Sequence, residues 1–265
     1  MQKLIRVSCF LTTLIALLAF VTPLSPSPRA DGVLKTIVID AGHGGKDPGC
    51  LGKSHYEKDI ALSIALLFGQ LVERLMPEIN VIYTRKTDVF VPLRERAQLA
   101  NRAGADLFIS IHCNAHPKAD RVGTETYVMG VNSSKSNLNV AMRENAVIMK
   151  EANYRKNYQG FDPTSSVSHI LLSNMQNVHQ TNSLQLASKV ERYFSHATKR
   201  DSRGVKQSGF WVLAKTGMPS ILVETGFLTT PDEEKYLASE LGQVNIAVSL
   251  YKALRDYRRD LEGKW

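Results

Sequence analysis

The stretch Thr36–Gly45, TIVIDAGHGG, decides the fold. Its first four residues are β-branched and mostly apolar, and they predict a buried strand. The strand leads into Asp40 and then into a glycine-rich loop that carries His43. In open α/β sheets, ligands bind beyond the carboxyl ends of the strands, and glycines let the backbone approach them closely. We therefore interpret His43 as a ligand of a catalytic zinc ion.

Strands and helices alternate after this loop. A helix is predicted to begin at Glu57, because apolar residues recur there every three or four positions. These residues are Ile60, Ile64, Leu67, Phe68, Leu71, Val72 and Leu75. Strands are predicted at 81–84 and 107–111, with a helix that begins near Leu93 between them. This order is typical of a parallel sheet with helices packed on its faces.

The pattern breaks at residues 131–182, which are polar and rich in Asn, Ser and Gln, with one helix-like piece at about 138–154. A long segment of this kind is usually a lid, a binding element or a mobile insertion. Helical spacing resumes at 184–197. Strands are then predicted at 209–214 and 220–223. A capping box at 230–233, TPDE, is predicted to open the last helical region, which runs to about residue 258.

Residues 1–30 have the pattern of an export signal followed by a Pro/Ser linker. Lys3 and Arg6 precede the uncharged segment Val7–Val21, which is short for a membrane span and suits a signal core. An uncleaved anchor remains open, because no clean cleavage pattern precedes Ala30. We predict a protein exported to a periplasm or cell surface, in contact with the membrane only through this signal. Residues 31–265 form the predicted catalytic domain.

The composition excludes some partners and leaves others open. The formal net charge of +8 suits an anionic polymer as substrate, although a solvated basic surface explains it equally well. No basic block with interleaved aromatic residues indicates nucleic acid. Cys50 and Cys113 could form one disulfide but are too few for a disulfide framework, and we expect Cys113 to be a buried free thiol.

Three residues with metal-binding or acid–base side chains follow predicted strands: His43, His112 and Glu224. A fourth, Glu57, opens the first helix. The carboxyl ends of parallel strands share one edge of a sheet, so these four side chains are expected to converge. Taken singly, each residue could have a purely structural role. A lone His is more often a hydrogen-bonded residue than a metal ligand, and Glu224 could be a buried partner of an arginine.

The set matches the needs of a zinc hydrolase. Catalytic zinc takes three protein ligands and keeps one position open, and we assign these ligands to His43, Glu57 and His112. A separate carboxylate must move the proton, and we assign that role to Glu224. No His-Glu-x-x-His pair, Gly-x-Ser-x-Gly elbow or complete phosphate loop offers another reading.

Four further residues are candidates for a role beside these ligands and the proposed catalytic residue. Asp40 and Asn114 are candidates for orienting the ligands or the substrate. His55 and His116 lie near the proposed ligands, but neither follows a predicted strand directly, so both rank lower.

The chain resembles the zinc-dependent N-acetylmuramoyl-L-alanine amidases that act in sporulation and cell division. The resemblance runs in order from residue 35 to 258. It rests on Ile39–Gly45, Glu57–Asp59, Thr84-Arg85 with Asp88, Leu93–Arg96, Ala100-Asn101, Ala105-Asp106, Ser110–Ala115 and Pro219–Leu228. Ala41, Cys113 and Thr229-Thr230 depart from the usual residues of the family, but none of them removes a functional group.

The resemblance implies a single α/β domain with a mainly parallel, roughly six-stranded sheet covered by helices on both faces. It implies one zinc ion, held by the three ligands assigned above, with Glu224 catalytic. The implied reaction is cleavage of the amide between N-acetylmuramic acid and the L-alanine of the peptidoglycan stem peptide.

The resemblance also gives the insertion at 131–182 a meaning. In some members a helix of the insertion blocks the zinc cleft until an activating protein displaces it. Arg143–Asn145 looks like the start of such a segment, with Glu144 or Glu151 as the residue that reaches the metal. A loop that grips the substrate is an equal alternative. Two other functions stay open: a different exported zinc hydrolase of wall peptides or sugars, and an inactive wall-binding module.

Overall fold

The computed structural model describes residues 34–131, 134–175, 178–198 and 200–263. The predicted export signal at residues 1–30 lies outside these ranges. Within them, no helix has both the length and the apolar character needed to cross a membrane.

A mixed sheet of six strands forms the centre of the domain, in the order β2-β1-β3-β6-β4-β5. The strands are β1 Thr36–Ala41, β2 Asn80–Tyr83, β3 Leu107–Asn114, β4 Thr124–Met129, β5 Ser202–Ser208 and β6 Ser220–Phe227. All neighbouring strands are parallel except β4 and β6, which pair antiparallel. The mainly parallel α/β sheet predicted from the sequence is confirmed.

Nine α-helices lie within the described ranges, together with a 3₁₀ helix at Ala146–Lys150. The α-helices are α1 Glu57–Leu75, α2 Leu93–Arg102, α3 Lys135–Asn145, α4 Tyr154–Asn157, α5 Ser166–Ser173, α6 Gln180–Thr198, α7 Trp211–Ala214, α8 Pro231–Ala238 and α9 Glu240–Leu261.

Both faces of the sheet are buried, which explains why β1 is an apolar run rather than an alternating one. Successive side chains of a strand point to opposite faces. Ile37 and Ile39 pack into a core with α1, α6 and α9, whereas Val38 packs into a second core with α2 and α7. The helices on the two faces therefore fix β1 in the sheet, and with it the loop that carries His43.

The insertion packs against the second core. Val140 and Ala141 of α3, Ile148 of the 3₁₀ helix and Leu172 of α5 are buried there. The prediction of one helical piece at 138–154 was wrong in extent. The α-helix ends at Asn145, and the chain reaches a left-handed conformation at Asn153, where φ is 56°.

The prediction of a strand at 209–214 was wrong. The strand in this part of the chain is β5, which ends at Ser208. The apolar residues Phe210, Trp211 and Leu213 follow it and pack into the second core. Trp211 and Leu213 belong to the helical turn α7, and Phe210 directly precedes it. Asn145 helps to set this turn, because its side chain accepts a hydrogen bond from the Trp211 amide and donates one to the Gly209 carbonyl.

The predicted capping box was also wrong, although α8 does begin with Pro231 after Thr230. The Thr230 hydroxyl donates to the Arg121 carbonyl instead of capping the helix. The Glu233 carboxylate accepts from the amides of Gly123 and Phe227. Both side chains tie the start of α8 to the loops beside the sheet edge.

Candidate metal centre

Four buried side chains meet at the carboxyl edge of the sheet. Oε1 of Glu57 lies 3.1 Å from Nε2 of His43 and 2.9 Å from Nδ1 of His112. Oε2 of Glu144 lies 3.1 Å from the same two nitrogens. The four ligand atoms all lie within 4.8 Å of one another. The structure thus brings together the three proposed ligands and adds Glu144 from the insertion.

Each member comes from a different element. His43 stands in the loop after β1 and adopts a φ of 60°, a left-handed conformation that is rare outside glycine and often marks a functional site. Glu57 is the first residue of α1, His112 lies near the end of β3, and Glu144 lies in the last turn of α3. Gly42 makes the packing possible, because a β-carbon there would stand 2.4 Å from the His112 ring.

Hydrogen bonds from neighbouring residues orient the His43 and Glu57 side chains of this group. Nδ1 of His43 lies 2.6 Å from Oδ2 of Asp47, which leaves Nε2 directed at the centre. The amides of Cys50 and Cys113 donate to the two oxygens of Glu57, at 2.7 and 2.9 Å. Such contacts fix the ring orientation and the basicity of metal ligands. Asp47 was not predicted from the sequence, where its only signal is its position four residues after His43.

Asp40 acts one step further from the centre. Its oxygens accept hydrogen bonds from Arg96, Thr84 and Ser110. The Arg96 guanidinium also donates to the carbonyls of Ala41 and His43. Asp40 therefore anchors the loop that carries His43 through Arg96, and among the described residues its hydrogen-bond and ionic partners all lie outside the four-membered group.

Glu224 lies beside this group. It stands opposite His112 in the pairing of β6 with β3, and its side chain is fully buried. Its Oε1 accepts from Nη2 of Arg143 at 3.2 Å, and its Oε2 has no hydrogen-bond partner. Burial and the negative charge of Glu144 raise the pKa of Glu224 to about 8, against the opposing effect of Arg143. With Glu144 in place, this carboxyl group therefore keeps its proton to a higher pH than an ordinary glutamate does.

The electrostatics of the centre favour a cation. Burial acts to lower the pKa of His112, but Glu144 and Glu57 raise it to about 9. Burial likewise acts to raise the pKa of Glu57, yet His43 and His112 hold it well below its usual range. Two buried carboxylates thus depend on positive charge beside them, which protonated imidazoles or a bound cation can supply.

The residues present fit a divalent metal ion such as zinc. Nε2 of His43 and Oε2 of Glu144 are both buried, face each other and have no hydrogen-bond partner. The ligand-atom separations of 2.9 and 3.1 Å are close to the roughly 3.3 Å edge of a tetrahedron of N and O ligands at about 2.0 Å from zinc. Two imidazoles and carboxylates are ligands that zinc prefers.

The remaining candidates lie outside the group. The Asn114 side chain donates to Glu125 and accepts from Arg143, next to Glu224. Oε1 of Glu151 accepts from the Tyr158 hydroxyl at 2.5 Å and from the Leu93 amide, away from the centre. His55 contacts Glu234, and His116 packs its ring against Phe227.

Comparison with known proteins agrees with this geometry. The family model described as N-acetylmuramoyl-L-alanine amidase matches residues 37–256. AmiA of Escherichia coli, an N-acetylmuramoyl-L-alanine amidase, is 29% identical over 88% of this chain and 79% of its own length. AmiC of another E. coli strain is 31% identical, and the match spans 56% of that longer protein.

A solved structure shares the fold. The CwlD amidase of Clostridioides difficile, solved in complex with the GerS lipoprotein, has a TM-score of 0.62 and 26% identity, and the match covers 84% of this chain and 98% of CwlD. The family match includes every residue of the candidate centre. The chain therefore belongs to the N-acetylmuramoyl-L-alanine amidase family of peptidoglycan hydrolases.

Proposed function

We propose that the protein is a zinc-dependent enzyme that hydrolyses the amide between N-acetylmuramic acid and the L-alanine of the stem peptide, and that its insertion keeps it closed at rest. The observation that carries the proposal is the meeting of two buried histidines and two buried carboxylates at one sheet edge, with unpartnered atoms directed at a common point.

His43, Glu57 and His112 would hold the ion, since all three come from the sheet, the loop after β1 and the first helix. When bound, zinc supplies a Lewis acid that polarises an amide carbonyl and makes water a competent nucleophile near neutral pH. Glu224 performs the proton transfer: its free Oε2 accepts a proton from the attacking water and delivers it to the leaving nitrogen.

The position of Glu144 favours the proposal of a closed state, because its Oε2 occupies the place that a substrate carbonyl or a water molecule would need. Arg143, the residue before it, donates from Nη2 to Glu224 and Asn114 and from Nη1 to the Ala115 carbonyl. One helical turn thus covers both the proposed metal position and the proposed proton-transfer group. We infer that α3 must leave for catalysis to begin.

An activating protein is the proposed means of opening. Helix α5 of the same insertion exposes apolar side chains, with Val167 62% and Leu171 66% accessible, and exposed apolar clusters often mark interaction sites. We propose that an exported partner binds this face and draws the insertion away from the centre. The CwlD structure with a lipoprotein bound gives a precedent for a protein partner on this fold.

The location follows from the proposed substrate. Peptidoglycan lies outside the cytoplasmic membrane, which supports the export predicted from residues 1–30.

The first test combines metal analysis with fragment analysis. Purified protein should contain about one zinc ion per chain, and the Glu144→Ala variant should release dye from labelled peptidoglycan. Chelation should stop the release, and added zinc should restore it. Mass spectrometry should find intact stem peptides freed from glycan. Fragments cut within the peptide or deacetylated sugars would support another zinc hydrolase, and binding without release would support an inactive wall-binding module.

A further inference from the structure

A cleft of about 640 Å³ opens beside the proposed catalytic centre. One wall belongs to the sheet edge and its loops, with Asn114, His116, Arg121, Phe227 and Thr229. The other wall belongs to α3, with Lys135 and Arg143 among its residues. Arg143 stands between the cleft and the centre, because it lines the cleft and its Nη2 donates to both Asn114 and Glu224.

The charge of the cleft is unbalanced. Its only acidic lining residue is Glu125, which is already satisfied by Arg203, Lys206, Asn114 and the Tyr127 hydroxyl. Arg143 is paired with Glu144 and Glu224. Arg121 and Lys135 are different, since neither side chain has a hydrogen-bond or ionic partner among the residues that the structure describes. Two unpaired cations in a concave site beside a reaction centre favour an anionic ligand.

The two cations differ in how firmly they are held. Lys135 begins α3 and would leave with that helix. Arg121 belongs to a loop that is fastened to the turn after β6. The Thr229 hydroxyl accepts from the His116 amide at 3.0 Å and donates to the His116 carbonyl at 3.1 Å. The Thr230 hydroxyl donates to the Arg121 carbonyl. Arg121 therefore stays at the cleft wall whether or not α3 is in place.

We propose that this wall is a subsite for the carboxylates of an acidic substrate peptide, and that Arg121 is its specificity-determining residue. The assignment rests on the proposed amidase function. A guanidinium pairs with a carboxylate through two parallel hydrogen bonds, and the amide at the metal centre places the rest of the stem peptide along one side of the centre. With Arg121 holding a carboxylate, the peptide lies along the strand ends of β3 and β6, in the space that α3 fills in the closed state.

The test compares two muramoyl-L-alanyl peptides, one with its carboxylates free and one with each carboxylate converted to a carboxamide. Arg121→Gln is the test variant. Lys118→Gln is the control, because Lys118 is exposed on the same loop and does not line the cleft. Each substitution is made in the parent and in Glu144→Ala. In Glu144→Ala, we expect Arg121→Gln to raise the KM for the acidic compound about tenfold with little change in kcat, as the loss of one charge-assisted pair requires. The KM for the carboxamide should change less than twofold.

Binding is measured separately by calorimetry with the free acidic peptide, so that the subsite is tested even if no turnover occurs. Arg121→Gln should weaken this binding about tenfold, and Lys118→Gln should leave it unchanged. Equal effects on both compounds, or no effect of Arg121→Gln on either KM or binding, would overturn the subsite. Absence of hydrolysis by both the parent and Glu144→Ala, with binding still dependent on Arg121, would refute the amidase proposal and leave the subsite standing.

Discussion

The two halves of the candidate centre are built in different ways. His43, Glu57, His112 and Glu224 come from the sheet, its first loop and the first turn of α1, and buried hydrogen bonds from Arg96, Cys50 and Cys113 fix their surroundings. Glu144 and Arg143 come from one turn of a helix in an insertion.

The insertion is held by a mixture of buried and exposed contacts, since Val140 and Ala141 of α3 pack into the second core while another contact is open to solvent. Nζ of Lys150 reaches Oδ1 of Asp47 at 3.0 Å, and the Lys150 side chain is 41% accessible. The difference teaches that the residues proposed for catalysis belong to the sheet edge and the elements joined directly to it, whereas those proposed to block it belong to an inserted helix that could leave without breaking the sheet. Local stability of this uneven kind is common where a segment must open.

The largest expected effect concerns the fixed half. Glu224→Gln, made in the Glu144→Ala background, should lower the rate of peptidoglycan hydrolysis about 10³-fold, because the amide cannot accept and pass on a proton. Its zinc content and melting temperature should stay close to those of the background protein, since Glu224 is not a proposed ligand. Hydrolysis within tenfold of the background rate would remove Glu224 from the mechanism.

The second effect tests whether metal and fold are linked through the sheet edge. His112→Ala should lose most of its bound zinc, and chelator should no longer change its stability. For the parent, the free energy of unfolding should be about 3 kcal/mol higher in saturating zinc than in chelator. Metal content and chemical denaturation measure this. His55→Ala is the matched control, because His55 contacts Glu234 outside the centre. Equal zinc loss in both variants would contradict the assignment.

The third effect separates the two halves most directly. Glu144→Ala should raise the hydrolysis rate about tenfold or more, because the closed state loses its anchor in the centre. Glu151→Ala should not, since Glu151 bonds to Tyr158 and Leu93 and has no contact with the group. Dye release from labelled peptidoglycan, in parallel with limited proteolysis of the insertion, provides the comparison. Activation by both variants alike would indicate general loosening rather than a specific block.

The smallest effect concerns the support of a ligand. Asp47→Asn keeps an oxygen beside His43 but removes the charge that polarises the ring, so zinc affinity should fall about tenfold. Competition with a metal-sensitive dye measures it. Asp88→Asn is a suitable control, because Asp88 contacts Lys58 and the Gly45 amide on the surface. An unchanged zinc affinity in Asp47→Asn would show that the ring needs no such partner.

The sequence predicted the fixed half well because strand ends carry its residues. His43 follows an apolar run and His112 and Glu224 continue two others, so their convergence followed from a parallel sheet. Asp47 was out of reach, because its role depends on which ring nitrogen faces the centre. Glu144 was named only through resemblance, since nothing in the local pattern of the insertion tells which face of α3 meets the metal site.

The errors in the second half of the chain have a common cause. An apolar run as short as that at 209–214 fits a buried strand and a buried helical turn equally well, and only packing against Asn145 and the second core decides. Strand β5 escaped notice for the opposite reason. It lies at the edge of the sheet, half exposed, and its sequence SRGVKQS carries charges and glycine that are typical of edges.

The carboxylate of Glu144 among the proposed zinc ligands has a consequence for the order of events in the cell. Whatever free energy the ion gains from this fourth ligand must also stabilise the docked position of α3, because coupling between two equilibria is reciprocal. The proposed zinc ion would then stabilise the closed position of α3 as well as supply the Lewis acid. Hydrogen exchange of the α3 amides should accordingly be slower with zinc than without it. An activating protein must supply more free energy to displace α3 from the zinc-bound enzyme than from the zinc-free one.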